Sequence, residues 1–446
     1  MAHLTFYGGV NEIGGNKVLL EDGDSRIFLD FGKSFNKWGR YYEEFLTPRS
    51  KNELRDLLYV GVVPPLDGIY RQDLLKAPDI ESVIQNLPRD PDQTLWSRGV
   101  ASYQQHLEEK GKPFLDGVLI SHGHEDHFKH IAFLDPHIKI YCSPITTLLL
   151  QVAEELGLGG PENEITSAEL LELDYYRSKS ATFPGEPTLR SRPVPRAIQV
   201  LAEGMVGAFH VKGLPVDHSV PGASAYYVTT PSGQKLFYSG DLRFHGTRVA
   251  ITEAFRNFVS NLRPDILIVE GTRIHESEPD SEVLVRDQCI QVVKETRGLA
   301  MAGFAWKDTT RFKTMKEVAN STGRTLVVSP KLAYLLNRLK GTEGLDTAEA
   351  SLDDARVYLP RENSMLYSKG DYTHSKYKAG YSVKWDGGPD LEHFNNGVRA
   401  YDIRKEPHKY LVHLPYYDFN ELVDLAPPPG STFIAAYSEP FDTEME

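Results

Sequence analysis

The sequence predicts a two-domain α/β protein, and three observations predict it. The chain has 446 residues, more than one ordinary hydrophobic core organises. Its first part carries short apolar runs separated by turn residues, the pattern of paired strands. Beyond Glu270 the pattern becomes helix alternating with strand, which is how a parallel sheet covered by helices is encoded. The division expected from this change is 1–278 for the first domain and 279–446 for the second.

Element by element, residues 4–7, 17–20 and 27–29 read as strands; Glu21-Asp22-Gly23-Asp24 is the turn between the last two, and Asp30 closes the third. A polar, proline-containing stretch from Asn36 to Pro113 interrupts them, with a helical piece over residues 51–58. The apolar strand 118–120 follows, then strands at 209–211, 225–228, 235–238 and 266–269, two of them joined by Pro231-Ser232-Gly233. In the second part Asp280-Ser281 opens an apolar-periodic helix that Gly298 closes, and Asp308 caps a helix carrying Phe312, Met315 and Ala319 on one face, stopped by Gly323. Short polar side chains satisfy the free N–H groups of a first helical turn, and glycine accepts the left-handed backbone beyond the last. Strands at 299–304, 325–329, 357–359, 410–413 and 432–437 complete the alternation.

Composition narrows the class. Forty per cent apolar and 11% aromatic residues belong to a folded, water-soluble chain, and no run approaches the ~18 to 20 apolar residues that span a bilayer. Met1-Ala2-His3-Leu4 leads into a strand without a basic or apolar leader, so the cytoplasm is the expected location and no membrane partner is expected. Cys142 and Cys289 lie far apart, which excludes a disulfide framework and a thiolate metal site. A net charge of −13 argues against nucleic-acid binding over the whole surface while leaving room for a local basic groove.

Chemistry concentrates in Ser121-His122-Gly123-His124-Glu125-Asp126-His127. The run follows a buried-looking strand, so its side chains project from a strand end into a loop where ligands converge. Imidazole nitrogens and carboxylate oxygens are the donors that hold zinc or manganese, and four of them within six residues give two adjacent metals a shared foundation. Two metals need further ligands. His218 in Val216-Asp217-His218-Ser219-Val220-Pro221-Gly222 and Asp241 in Tyr238-Ser239-Gly240-Asp241-Leu242-Arg243 stand at strand ends where such ligands belong.

Asp30, the His122 cluster, His218 and Asp241, taken in order, resemble the successive motifs of the metallo-β-lactamase fold. The segment Gly8-Gly9-Val10-Asn11-Glu12-Ile13-Gly14-Gly15-Asn16, with Glu270-Gly271-Thr272 and the alternation after it, resembles the β-CASP branch and, within it, the ribonuclease J-like enzymes. The resemblance implies an αββα sandwich followed by a Rossmann-like β-CASP domain, and two Zn2+ per chain with Mn2+ as the alternative. It implies a first metal on His122, His124 and His218, a second on Asp126 and His127, and Asp241 bridging them. Asp30 would orient a ligand histidine. Glu270 would match the first acidic motif of the branch; its other reading is a partner for Arg273. Members of the branch carry two further histidine motifs, and nothing in residues 432–446 matches them; a truncated chain lacking the returning segment is the expectation.

Two cations sharing a hydroxide generate a nucleophile near neutral pH and neutralise a phosphodiester as it is displaced. Asp126, Asp241 and Glu270 are the expected catalytic carboxylates. The resemblance points to cleavage of single-stranded RNA, exonucleolytic, endonucleolytic or both; hydrolysis of a small ester, lactone or thioester and a non-catalytic scaffold are the alternatives. Residues 367–385 interleave aromatics with lysines, so Lys369, Tyr372, Lys376, Tyr377 and Lys378 are candidate RNA contacts, since aromatic faces stack on bases while lysines follow phosphates. Arg190, Arg192 and Arg196, in a proline-rich loop after Phe183, are a second candidate surface. His130 and His137 read as structural; His245, His275, His374 and His413 have no ligand spacing. A homodimer is the assembly considered.

Overall fold

The computed structural model describes residues 1–42, 46–50, 52–75, 99–174, 188–272, 274, 281–361 and 397–437. The chain divides into two compact units: the first is Met1–Val216, Ala223–Leu242 and Phe255–Ile274, the second Asp217–Gly222, Arg243–Ala254 and His275–Glu446. No helix among the described residues is long and apolar enough to cross a membrane. Both cysteines are buried and free.

In the first unit, β1 (His3–Gly8), β2 (Lys17–Asp22), β3 (Ser25–Leu29), β4 (Gly117–Leu119) and β5 (Ile140–Cys142) enter one sheet. The hairpin β6 (Ser167–Asp174) and β7 (Thr188–Pro195) stands apart, and β8 (Ile198–Val200) closes the first sheet in the order β1-β2-β3-β4-β5-β8. A second sheet runs β13-β12-β11-β10-β9, built from β9 (Glu203–Val206), β10 (Phe209–Pro215), β11 (Ser224–Thr229), β12 (Lys235–Tyr238) and β13 (Ile266–Ile268).

Period-two patterning puts these sheets face to face. Val18, Leu20, Ile27, Leu29 and Leu119 from the first sheet share one core with Phe209, Val211, Tyr226, Val228, Leu236 and Tyr238 from the second. The alternate residues Leu19, Phe28, Val118 and Ile140 point the other way, onto Leu54, Leu57 and Leu58 of the helix Glu53–Val60 and onto Leu150. On the outer face of the second sheet, Ala225 and Phe237 pack against Phe255, Phe258 and Leu262. The order of layers is helix, sheet, sheet, helix.

In the second unit the six strands among the described residues are all parallel. They are β14 (Ala300–Gly303), β15 (Thr325–Val328), β16 (Ala355–Leu359), β17 (Gly397–Arg399), β18 (Tyr410–His413) and β19 (Thr432–Ala435), in the order β17-β16-β15-β18-β14-β19. One face is covered by the helices Glu282–Glu295, Thr309–Ser321 and Pro330–Leu339, through Val293, Phe312, Met315 and Leu336. The other is covered through Ile403 and Leu425. Ser281 and Asp308 cap the first two helices by accepting from Leu284 N and Arg311 N, each worth about 1 kcal/mol.

One expectation is overturned. Arg196 does not lie in a solvated loop: it follows β7 and is buried, with its guanidinium donating to the backbone carbonyls of Ile165, Leu134, Asp135, Ala132 and Glu164. Its job is to satisfy chain turns inside the first unit. Arg190 and Arg192 sit on the exposed β7 hairpin strand and pair with Glu172.

Candidate metal centre

The site gathers beyond the ends of β3, β4, β10 and β12. β3 ends at Leu29, and Asp30 then turns with φ 58°, a left-handed conformation that aspartate tolerates better than most residues. Its N–H donates to Leu119 O at 2.8 Å, tying it to β4. The carboxylate points inward, fully buried. Oδ1 accepts the Ser121 N–H at 2.7 Å. Oδ2 accepts the Ser121 hydroxyl at 2.7 Å and the Tyr238 hydroxyl at 2.6 Å, and lies 2.7 Å from His127 Nδ1.

This network sets the two buried imidazoles. His127 Nδ1–H donates to Asp30, which leaves the Nε2 lone pair facing the site. Because the Ser121 hydroxyl gives its proton to Asp30, its oxygen accepts from His122 Nδ1–H at 3.0 Å, and His122 also turns its Nε2 lone pair to the site. A single carboxylate thus orients two ligand histidines, one directly and one through a serine.

His122, His124, His218 and Asp241 each offer one ligand atom, and these atoms all lie within 4.8 Å of one another. His122 is buried and the other three half-buried. His218 sits on the β10–β11 connection, whose ends are joined by the Val216 N–H to Ala223 O hydrogen bond at 3.0 Å. Asp217 beside it is fully buried, accepts the Arg248 N–H at 3.1 Å and pairs with Arg243 at 3.2 Å. Asp241 turns Oδ1 to His127 Nε2 at 3.3 Å and Oδ2 to His122 Nε2 at 3.9 Å. Asp126 Oδ2 stands 3.6 Å from His127 Nε2. The four-member cluster and the Asp126–His127 pair therefore meet at Asp241.

These donors fit divalent cations. His127 Nε2 is buried without a hydrogen-bond partner, a cost of roughly 1–3 kcal/mol unless something occupies its lone pair. His122 Nε2 and His124 Nδ1 are 3.0 Å apart, close to the roughly 3.3 Å separation of two nitrogens that each hold one zinc at about 2.0–2.1 Å in tetrahedral geometry. Burial pushes the Asp126 carboxyl above its ordinary range, with Asp241 adding to the effect against His127. Burial works against a charged His127, yet Asp241, Asp126 and Asp30 raise its pKa well above the usual value. That concentration of negative charge is what a cation would neutralise.

Glycines let the surroundings close on Asp126. A Cβ on Gly14 would lie 2.1 Å from Asp126 Oδ2, and one on Gly32 would lie 1.6 Å from Asp126 O. Sequence reading missed Ser121, Tyr238, Gly14 and Gly32 as parts of the site. Ser121 and Tyr238 adjoin the quoted motifs, but only their distance from Asp30 gives them a role.

Other expected residues fall elsewhere. Glu270 is half-buried just beyond β13; its carboxylate accepts the Thr272 N–H at 2.8 Å, and its own N–H donates to Ser239 Oγ at 3.2 Å. It is not in the cluster found among the described residues. Lys369, Tyr372, Lys376, Tyr377, Lys378, His275, His374 and Arg273 lie outside the described residues. His130 is buried, and His137 pairs with Asp135 at the surface at 2.8 Å. The His245 carbonyl accepts from Glu282 N–H.

Residues 94–303 match the beta-lactamase superfamily domain. Over 274 residues the chain is 26% identical to Ribonuclease J of Pyrococcus abyssi (strain GE5 / Orsay), a match covering 57% of this chain and 54% of that protein. The chain thus spans about half the length of this curated relative. A protein of unknown function from Enterococcus faecalis V583 shares the fold, with TM-score 0.56 at 19% identity over 98% of this chain and 87% of its own. A metallo-beta-lactamase with a HARLDQ motif from Cronobacter sakazakii (Enterobacter sakazakii) reaches TM-score 0.29 at 14% identity over 60% of this chain and 71% of its own. The αββα layers and the histidine–aspartate cluster accompany the match of residues 94–303 to the beta-lactamase superfamily domain, and that segment is similar to a metallo-beta-lactamase domain.

Proposed function

We propose that the protein is a metal-dependent ribonuclease of the ribonuclease J-like type, cleaving single-stranded RNA from an end, internally or both. The observation that carries this reading is Asp241, whose two oxygens face His127 on one side and His122 on the other. The similarity to Ribonuclease J supports RNA as the substrate, and the helix-covered parallel sheet of the second unit supports its assignment as a β-CASP domain. His122, His124 and His218 hold a first metal in this reading, Asp126 and His127 a second, and Asp241 is shared; zinc is the expected ion and manganese the alternative.

Divalent cations bound there lower the proton affinity of water and neutralise charge on a phosphodiester. The chain's own work is positional and protonic. Asp30 and Ser121 hold both imidazoles in the tautomer whose Nε2 faces the site. Asp126 and Asp241 are the carboxylates placed to take a proton from an attacking water, and Glu270 is the further acidic residue assigned to the branch.

The test is cleavage of 5′-monophosphorylated single-stranded RNA by the zinc- or manganese-loaded chain. A His124→Ala variant should lose about a thousandfold or more of the rate, the order expected when a site loses its metal chemistry. Equal cleavage by both rejects the reading. Hydrolysis of a lactone or thioester with RNA left intact favours a small-molecule hydrolase, and less than one bound ion per chain favours a scaffold.

A further inference from the structure

The glycine-rich segment that follows β1 packs against Asp126 and also lines a groove at the surface. Between β1, this loop and the helix Phe35–Gly39 lies a groove of about 300 Å3, lined by Phe6, Tyr7, Asn11, Asn36, Lys37 and Arg40 among others. Its volume is at the small end of the roughly 300–1,000 Å3 range of ligand sites, room for one monomer of a chain and not for a folded partner. β1 is the edge of its sheet, and Phe6 on it is 46% exposed. Val10 and Ile13 of the loop are 55% and 57% exposed.

The loop is held in an unusual shape. Gly9, Asn11, Gly14 and Gly15 all have positive φ, at 84°, 55°, 67° and 72°. Such conformations persist where the surroundings impose them, commonly at ligand sites. Glu12 ties the start of the loop to the helix Phe35–Gly39: its carboxylate accepts the Gly9 N–H at 3.0 Å, accepts the Ser34 hydroxyl, and stands 3.6 Å from Lys37 Nζ. Lys37 Nζ also donates to Tyr7 O at 2.9 Å. The acid on this loop is therefore only 7% exposed and already engaged, whereas Arg40 is exposed and has no ion pair among the described residues. Two residues after Glu12, Gly14 abuts the Asp126 carboxylate, so the groove and the candidate metal centre share one loop.

We infer that this groove binds one nucleotide of a single-stranded RNA substrate flanking the bond to be cleaved. Phe6 supplies a face for the base, Arg40 and Lys37 face the phosphate, and Asn11 and Asn36 offer amide groups to base edges or sugar. Aromatic faces interleaved with cations are the chemistry of single-strand binding. The inference rests on the ribonuclease reading, and the experiment separates the two.

The 446-residue chain, its Phe6→Ala, Phe6→Trp and Arg40→Ala variants, and each of these combined with His124→Ala are compared. Steady-state cleavage of a single-stranded oligoribonucleotide is measured beside hydrolysis of bis(p-nitrophenyl) phosphate, a diester with no flanking nucleotide to occupy the groove. Binding of the labelled oligomer is measured by anisotropy in the His124→Ala background. Phe6→Ala and Arg40→Ala should each raise KM and weaken binding about tenfold, leave kcat and bis(p-nitrophenyl) phosphate hydrolysis unchanged, and Phe6→Trp should restore binding. Unchanged KM and binding in both variants overturn the groove while leaving a ribonuclease standing, and failure of the unmodified chain to bind the oligomer also overturns it. Groove-dependent binding without any cleavage by the unmodified chain keeps the groove and sinks the ribonuclease reading.

Discussion

Each unit buries a histidine, His127 on the short helix Glu125–Phe128 and His413 at the end of β18, and their surroundings shift the two pKa values in opposite directions. His127 in the first unit is 1% exposed and His413 in the second is 2% exposed. His127 has Asp30 on Nδ1 with Asp241 and Asp126 around Nε2, and these carboxylates outweigh its burial. His413 meets backbone groups instead: Nε2–H donates to Phe304 O at 2.9 Å and Nδ1 accepts the Ser329 N–H at 3.3 Å. Burial then pushes it down to about 4. The lesson is that burial alone does not decide a histidine's charge; its neighbours do. Carboxylates make His127 part of a cation-receptive centre. A carbonyl and an amide make His413 a neutral clip that ties β18 to the chain leaving β14 and β15.

The sharpest way to break this contrast is Asp30→Ala. It would leave the Ser121 N–H and hydroxyl, the Tyr238 hydroxyl and His127 Nδ1 without their acceptor, costing about 3–5 kcal/mol and weakening zinc binding by roughly 10–100-fold. Urea unfolding and a zinc competition titration read both numbers; an unchanged zinc affinity would remove Asp30 from the account of the site. On the other side, His413→Ala orphans Phe304 O and the Ser329 N–H and opens a cavity. It should cost about 2–4 kcal/mol with zinc affinity intact.

The charge states themselves make a third prediction. The folded pKa of His413, about 4, lies below its ordinary value of 6.5, so between those values the unfolded chain binds the proton first. The stability it contributes is present above about pH 6.5 and is lost as the pH falls towards about 4, up to about 3 kcal/mol. His413→Gln keeps a donor and an acceptor without titrating. Urea midpoints between about pH 4 and 7.5 should therefore slope less in this variant than in the unmodified chain, and equal slopes would contradict the neutral clip. The smallest expected effect is at Gly14. Gly14→Ala should cost about 1–2 kcal/mol of backbone strain and also weaken zinc binding, because its Cβ would meet Asp126 Oδ2. Gly23→Ala, at φ +62° with nothing within 4 Å, is the control that should show strain alone.

Much of the scaffold could be read from alternation, because Val18 and Leu20 face one core while Leu19 faces another, and that period survives in the linear sequence. β8 could not, since Ile198-Gln199-Val200 is short with a polar centre, whereas the equally short β4 and β13 lie in uninterrupted apolar runs. The expectation for Arg196 failed for a related reason. An arginine among prolines looks the same whether it meets solvent or five buried carbonyls, and only the fold supplies the carbonyls.

The sequence by itself determined which side chains are candidates for ligand chemistry, since His122, His124, Asp126 and His127 stand within six residues and are visible without coordinates. Tertiary structure alone decided which nitrogen of His122 and of His127 faces the site. That choice depends on Asp30 reaching Ser121 across 91 positions and Tyr238 across 208. Hydrogen bonding and charge act over a few ångströms of space, and sequence separation carries no record of that distance.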